Sequence, residues 1–437
     1  MQTVKFDLTR KGIPFKILNA TNGGPWHKRH ANDQYISNFE DYKAAKIPYS
    51  RNHDSWYCAT YGGPFCHDIC AIFPDFDADV NDPNSYDFAC TDEEILCTLE
   101  AGTKTFFRLG ESIDHRIVKH NIIMPKDFQK WAEICEHIIR HYNEGWANGF
   151  ELCIEYWEIW NEPDLDAEDA EYRRTWTGTR AQFCDMYEIA AKHLKKCFPH
   201  LKIGGPAFCG RVEWADVFLC EMQKRNVPMD FVSWHAYNKE PEGLLARADA
   251  FKALMVKYGY GDAESNLNEW NYVRGWTDDF KYTLSAIHGE KGASYVMACI
   301  SEMQYADTID MAMYYDTRPS VFCGAFDLYT YDPLKGYYPL AWYSNFYDME
   351  ASVKHTERPE NVYTLCGVDK DGKAIAIVTH YSENDDTPAI DISVDFGKAG
   401  KYEVYRVDKD HDGELVATTT DLNFTLPVHS FILIKEI

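Results

Sequence analysis

Two glutamates stand out because each closes an apolar run beside tryptophan and asparagine. Glu162 ends Tyr156-Trp-Glu-Ile-Trp-Asn-Glu162-Pro163, and Glu269 lies in Asn266-Leu-Asn-Glu269-Trp270-Asn271. Pro163 has no N–H to give to a strand ladder, so the run stops there and Glu162 is delivered to a strand's carboxyl end. A glutamate at a strand end otherwise reads as a salt bridge or a helix cap. Two of them in matching settings suit glycoside hydrolysis: one carboxyl protonates the leaving oxygen, and the other attacks the sugar when the pair stands about 5 Å apart. Trp157 and Trp160 are expected to desolvate Glu162 and raise its pKa, as a general acid requires.

These carboxylates need a frame that brings distant segments to one mouth. Short apolar runs at Phe15–Asn19, Ile47–Arg51, Lys104–Arg108, Glu155–Trp160, Lys202–Gly205, Phe231–Trp234, Asn266–Glu269 and Asp310–Tyr315 read as eight strands. Helical periodicity falls between them, most clearly at Phe39–Lys46, Asp92–Ala101, Pro125–Tyr142, Arg180–Cys197, Glu213–Arg225, Pro241–Tyr258 and Thr283–Tyr305. Strands alternating with helices predict an α/β fold, a (β/α)8 TIM barrel. Glu162 then ends the fourth strand and Glu269 the seventh, and both face the barrel mouth. The long insertion Asn52–Ala89 is expected to wall that mouth. Beyond residue 350, runs at Tyr363–Val368, Ala374–His380, Ile390–Val394, Lys401–Val407, Leu415–Thr419 and Phe431–Ile434, punctuated by Asp-Gly turns, predict a C-terminal antiparallel β-sandwich. The expected organisation is a strand within residues 1–14 joining the sandwich, a barrel over 15–346 and the sandwich over 347–437.

Composition narrows the partners. A net charge of −25 repels phosphate backbones and anionic lipid, which argues against nucleic acid and membrane while leaving neutral oligosaccharides unaffected. The start, Met1-Gln-Thr-Val-Lys-Phe-Asp, has no apolar signal core, and 14 cysteines fall at irregular spacings. Both features point to reduced thiols in a cytoplasmic protein. Aromatics reach 15% of residues, enough to supply both a large core and stacking platforms for sugar rings. Cys58, Cys66, His67 and Cys70 have a zinc-like spacing but read as free thiols in a cysteine-rich chain. Asp408-x-Asp410-x-Asp412-Gly413 starts like a calcium loop but has Thr419 at its twelfth position, so a hairpin turn is expected. No metal and no cofactor is expected. Homo-oligomerisation is left open.

Trp157-Glu-Ile-Trp-Asn-Glu-Pro and Asn268-Glu-Trp-Asn resemble glycoside hydrolase family 39, which includes β-xylosidases and α-L-iduronidases. Lys202-Ile-Gly-Gly-Pro206-Ala, Asp230-Phe-Val-Ser-Trp-His235-Ala-Tyr237 and Tyr49-Ser-Arg51-Asn-His53-Asp54 resemble its strands five, six and two. The resemblance implies a retaining barrel with Glu162 as acid/base and Glu269 as nucleophile. It also implies Asn161 on the sugar 2-hydroxyl, His235 and His53 on other hydroxyls, Tyr237 on the Glu269 carboxylate and Arg51 beneath the pair. Trp270 and Tyr315 complete the expected substrate-binding set. Strand eight departs from the pattern. The family's xylosidases carry paired glutamates there, whereas this chain has Tyr314-Tyr315-Asp316-Thr-Arg318. Arg318 would suit an anionic or heavily hydroxylated sugar, or would pair with Asp316 or Asp327. The expected activity is exo-acting and β-xylosidase-like on short oligosaccharides. An arabinosidase, galactosidase or uronic-acid-releasing enzyme, or a non-catalytic carbohydrate-binding barrel, stands behind it.

Overall fold

The computed structural model describes residues 1–25, 37–54, 65–320, 322 and 324–437. Eight parallel strands close a barrel: Ile17–Asn22, Tyr49–Arg51, Lys104–Leu109, Tyr156–Ile159, Lys202–Phe208, Phe231–Asn238, Glu264–Tyr272 and Met311–Tyr314. Each overlaps one of the apolar runs, so the α/β barrel class stands.

The bore is filled in layers. Residues two apart on a strand share a face, and Tyr49, Phe106, Tyr156, Phe231, Met311 and Met313 form an apolar plug at its base. Trp157, Ile159, Trp234, Leu267 and Trp270 alternate with the inward positions and join the larger core between strands and helices. Above the plug the inward positions turn polar, and that is where the candidate site begins.

Helices Ala89–Glu100, Phe128–Glu144, Arg180–Cys197, Val212–Lys224 and Pro241–Lys257 surround the strands. The stretch expected as one helix from Thr283 to Tyr305 is two, Phe280–Ile287 and Glu290–Met303. Gly289 between them has an extended backbone that caps the second helix, and a side chain on Gly292 would strike the Ile287 carbonyl. Among the described residues no helix is long and apolar enough to cross a membrane.

Two further sheets enclose a second core built from Val4, Phe6, Val362, Val378, Val394, Leu426 and Ile432, among others. One orders Ala351–Ser352, Val362–Val368, Ala374–His380, Ser430–Glu436, Tyr402–Val407 and Asp412–Thr419. The other orders His355–Glu357, Gln2–Phe6, Ile390–Asp395 and Asn423–Leu426. The N-terminal strand Gln2–Phe6 pairs in parallel with Ile390–Asp395. The calcium-like Asp408–Asp412 segment links two antiparallel strands, with Asp408 paired to Arg406 and His411.

Candidate active site

The polar layer above the plug is organised by a buried ion pair. Arg51, at the end of the second barrel strand, donates from Nε to Glu158 on the fourth at 2.7 Å, and both side chains are fully buried. Glu158 also accepts from Ser233 Oγ and Asn268 Nδ2, each at 2.5 Å. Removing one partner of such a pair costs about 3–5 kcal/mol, because it strands a charge away from water. The rest of the Arg51 guanidinium points up. It donates to Asn22 Oδ1 at 3.0 Å, to Asn161 Oδ1 at 2.6 Å and to Glu269 Oε2 at 3.4 Å.

Local irregularities aim the next layer into the mouth. Trp160 and Glu162 both take left-handed backbone conformations, at φ 74° and 47°. Such strain in ordinary residues persists where surroundings enforce it. Here the Glu162 N–H donates to the Ala207 carbonyl at 2.9 Å, and the Glu162 carbonyl accepts from Thr175 Oγ1 at 2.7 Å. Asp164, buried, accepts from the Cys209 and Arg211 N–H groups and so ties the loop after strand four to the loop after strand five. On strand seven the register slips between Leu267 and Trp270. A bulge of this kind lets neighbouring residues escape strict alternation, and both Asn268 and Glu269 reach inward contacts.

Glu162 and Glu269 are brought together, each only 6% exposed. A carboxylate oxygen of each lies within 4.8 Å of the other. Tyr237 Oη donates to Glu269 Oε1 at 2.5 Å. His235 sits between the two carboxyls, with Nδ1 2.7 Å from Glu162 Oε1 and 3.5 Å from Glu269 Oε2. Burial lowers His235 to about 4, so the ring is neutral near pH 7. Burial pushes Glu162 up to about 8 against the opposing Arg51 charge. Burial also raises Glu269, to about 7, and the neighbouring Glu162 adds to this, with Arg51 and the Tyr237 hydroxyl pulling it down. Burial thus favours the protonated form of both carboxyls, and Arg51 and Tyr237 favour ionisation of Glu269. Trp157 and Trp160 face the helix layer, Trp157 stacking on Phe107 and Trp160 packing on Trp131 and Trp176, so neither lines the mouth.

The other expected residues divide. Asn161 uses its carbonyl on Arg51, and its Nδ2 has no partner among the described residues. His235 Nε2 and His53 Nδ1 are likewise buried without partners among the described residues. His53 Nε2 stands 3.4 Å from Asp54 Oδ1, and burial holds the His53 pKa well below its ordinary value. Tyr315 donates to Asp54 Oδ2 at 3.1 Å and accepts from Arg318 Nη2 at 3.0 Å. Arg318 is committed to Asp316, Tyr315 and the Asp54 carbonyl, so its charge is neutralised at home rather than offered to an anionic sugar.

Trp270 does not join the site. Alternation turns it outward, fully buried and edge-on to Tyr314 in the helix-facing core. Among the described residues, the exposed tryptophan near the site is Trp276, 56% exposed, with its ring against Tyr237 at 5.0 Å and near Phe280 and Phe322. Its only sequence signal was a tryptophan in the loop after strand seven. Glu158 and Asn268 were also missed, although a carboxylate between Trp157 and Ile159 was visible in an otherwise apolar strand.

Glu162, His235 and Glu269 are close enough together to hold a metal. The Arg51 guanidinium against Glu269 already supplies the positive charge there and would repel a second cation. Of the expected thiol cluster, Cys58 lies outside the described residues. Cys70 stands apart from Cys66 and His67, its N–H donating to Glu111.

The chain is 26% identical over 303 residues to a beta-xylosidase from Geobacillus stearothermophilus, covering 60% of this chain and 56% of that protein. It is 32% identical over 143 residues to a beta-xylosidase from Caldicellulosiruptor saccharolyticus, covering 32% and 25%. The chain thus spans about half the length of the first relative and a quarter of the second. The crystal structure of a glucosidase from Croceicoccus marinus superposes over 100% of this chain and 99% of that one, with a TM-score of 0.75 at 21% identity, a likeness of fold. The pattern of the family described as Glycosyl hydrolases family 39 matches residues 32–260, more than half of the chain and the part that carries Arg51, Glu162 and His235; the chain belongs to that family.

Proposed function

We propose that the chain is a retaining glycoside hydrolase in which Glu162 is the general acid/base and Glu269 the nucleophile. One observation carries this reading: two buried carboxyls with oxygens within 4.8 Å of each other, of which Glu269 alone is held by both Arg51 and Tyr237. Inverting enzymes need room for a water between their carboxyls, about 6.5–9.5 Å, whereas retaining ones stand at about 5–5.5 Å. In the first step Glu269 attacks the anomeric carbon while Glu162 gives its proton to the departing oxygen. In the second, Glu162 takes a proton from water, which displaces Glu269. Asn161 Nδ2 is available for a sugar 2-hydroxyl, a contact that strengthens as the ring gains positive charge.

The proposed substrate is a short oligosaccharide cut from its end, β-xylosidic by analogy with the two relatives. The Asp54–Tyr315–Arg318 latch supports a mouth closed on one side. Trp276, beside Tyr237, offers an exposed aromatic surface for a sugar ring. A β-glucoside stands second, by analogy with the superposed glucosidase. The committed Arg318 weighs against a uronic acid. The twelve free cysteines among the described residues support work in the reducing cytoplasm.

The test is a panel of nitrophenyl glycosides, assayed with EDTA present, followed by a pH profile on the best substrate. Glu269 must be ionised and is pushed up to about 7, so activity should fall as pH drops below that value. Glu162 must be protonated and is pushed up to about 8, so activity should fall above it. The expected kcat/KM profile is a bell peaking between the two. Activity that keeps rising past the upper limb would remove Glu162 as the acid. Chelator-sensitive turnover would favour a metal mechanism instead.

A further inference from the structure

The segment that follows the nucleophile is held from outside the barrel. Strand seven ends at Tyr272, and the chain runs on through Val273 and Arg274 to Trp276. Tyr272 Oη and Arg274 Nε both donate to one carboxylate, that of Glu383, at 3.1 and 2.5 Å. Glu383 lies 109 residues from Arg274 in sequence, just past the sandwich strand Ala374–His380. One sandwich side chain thus grips the chain on the way from Glu269 to Trp276.

The grip is charged and shielded from water. The Glu383 side chain is 14% exposed and lies between Arg274 and the buried Lys291. Lys291, at the start of helix Glu290–Met303, stands 3.3 Å from the Glu383 carboxylate and donates to the Glu383 carbonyl at 2.7 Å. It also donates to Asp385 at 2.6 Å, and Tyr282 Oη donates to the same carboxylate at 2.6 Å. The Arg274 guanidinium lies over the Tyr282 ring at 3.5 Å, so it is fixed by its face as well as by its N–H edge. Charge-assisted bonds with little water around them hold a geometry more firmly than neutral contacts at the surface.

The same sandwich segment also reaches strand six. Tyr381 Oη donates to the carbonyl of Lys239, the residue after strand Phe231–Asn238. Lys239 stands two residues past Tyr237, as Trp276 stands two past Arg274. The two anchored segments meet where Trp276 packs edge-on against the Tyr237 ring at 5.0 Å, and the Tyr237 hydroxyl donates to Glu269 at 2.5 Å. A line of contacts therefore runs from Glu383 through Arg274, Trp276 and Tyr237 to Glu269.

We propose that Glu383 is a positioning residue for the glycosidase reaction: it holds Arg274 so that Trp276 keeps the Tyr237 hydroxyl set on Glu269. The proposal rests on the retaining reading given above. Glu383 acts at a distance and transfers no proton itself. A second ion pair across the same seam, between Arg358 and Glu302 at 2.8 Å, serves as the contrast. Barrel helices run antiparallel to the strands, so Lys291 at the start of its helix lies toward the mouth and Glu302 near its end lies toward the base. The two are about 17 Å apart along the axis at 1.5 Å per residue.

The test measures kcat/KM and Tm of full-chain variants on the nitrophenyl glycoside that the wild type cleaves best. Glu383→Ala should lower kcat/KM by about tenfold to a hundredfold, the scale of a small misplacement of a reacting group. Trp276→Ala should cost at least about fivefold, and the double variant should stay within about twofold of the slower single one, since both cut the same route. Glu302→Gln should lower Tm but leave kcat/KM within about twofold of the wild type. The proposal is overturned if Glu383→Ala leaves kcat/KM unchanged, if Trp276→Ala is neutral, if the two losses multiply in the double variant, or if Glu302→Gln slows the enzyme as much as Glu383→Ala. Should Glu383→Ala fail to fold by circular dichroism, Glu383→Gln decides, and unchanged kcat/KM there overturns the role. An active wild type whose Glu269→Gly variant is rescued by azide keeps the retaining reading whatever Glu383 does. Wild-type silence across the glycoside panel overturns that reading and this proposal together.

Discussion

Replacing Glu269 with glycine should lower kcat by on the order of 10⁴-fold or more, since it removes the atom that bonds to the sugar, and loss of a nucleophile is among the costliest single changes an enzyme can suffer. The loss should not come from unfolding. The Arg51–Glu158 pair beneath Glu269 is complete without it, and the space left is open to the mouth. Adding azide should then restore turnover of an activated aryl glycoside, because the small anion enters that space and attacks from the same side. The glycosyl azide formed would have inverted configuration, having passed through one displacement instead of two. Rescue that gave a retained azide product would mean that another group forms the intermediate.

Glu162→Ala should fail in a different way. Proton donation matters in proportion to how poor the leaving group is. An oligosaccharide substrate should therefore slow by about 10²–10⁴-fold, while an aryl glycoside with an acidic phenol should lose far less in the glycosylation step. The alkaline limb of the pH profile should disappear with the residue, since it reports loss of the Glu162 proton, which burial otherwise retains up to about pH 8. Equal slowing of good and poor leaving groups would contradict the acid role. His235 would not substitute. Its imidazole is held neutral by burial, so it has no acidic proton to give near pH 7.

The two glutamates were legible because each interrupts an apolar strand at its carboxyl end, a signal carried by neighbours in the chain. The residues that hold them were less so. Glu158 was hidden between Trp157 and Ile159, where only the closed barrel reveals that it points inward to Arg51. Asn268 depends on the bulge in strand seven, and no periodicity announces a bulge. Trp270 was placed at the mouth because it adjoins Glu269, yet alternation sends neighbours to opposite faces and buries it against Tyr314. Cys70 was grouped with Cys66 and His67 by spacing. The short helix starting at Ile69 carries it to Glu111 instead. In the C-terminal sheets, Ala351–Ser352, His355–Glu357 and Asn423–Leu426 were too short to show a period and are fixed by their partners.

The most direct measurement is the anomeric configuration of the first sugar released, followed by proton NMR before mutarotation, on whichever aryl glycoside of the panel is cleaved. Double displacement through Glu269 predicts that the released sugar keeps the configuration of the glycoside. Release of the opposite anomer, or no turnover across the panel, would contradict it.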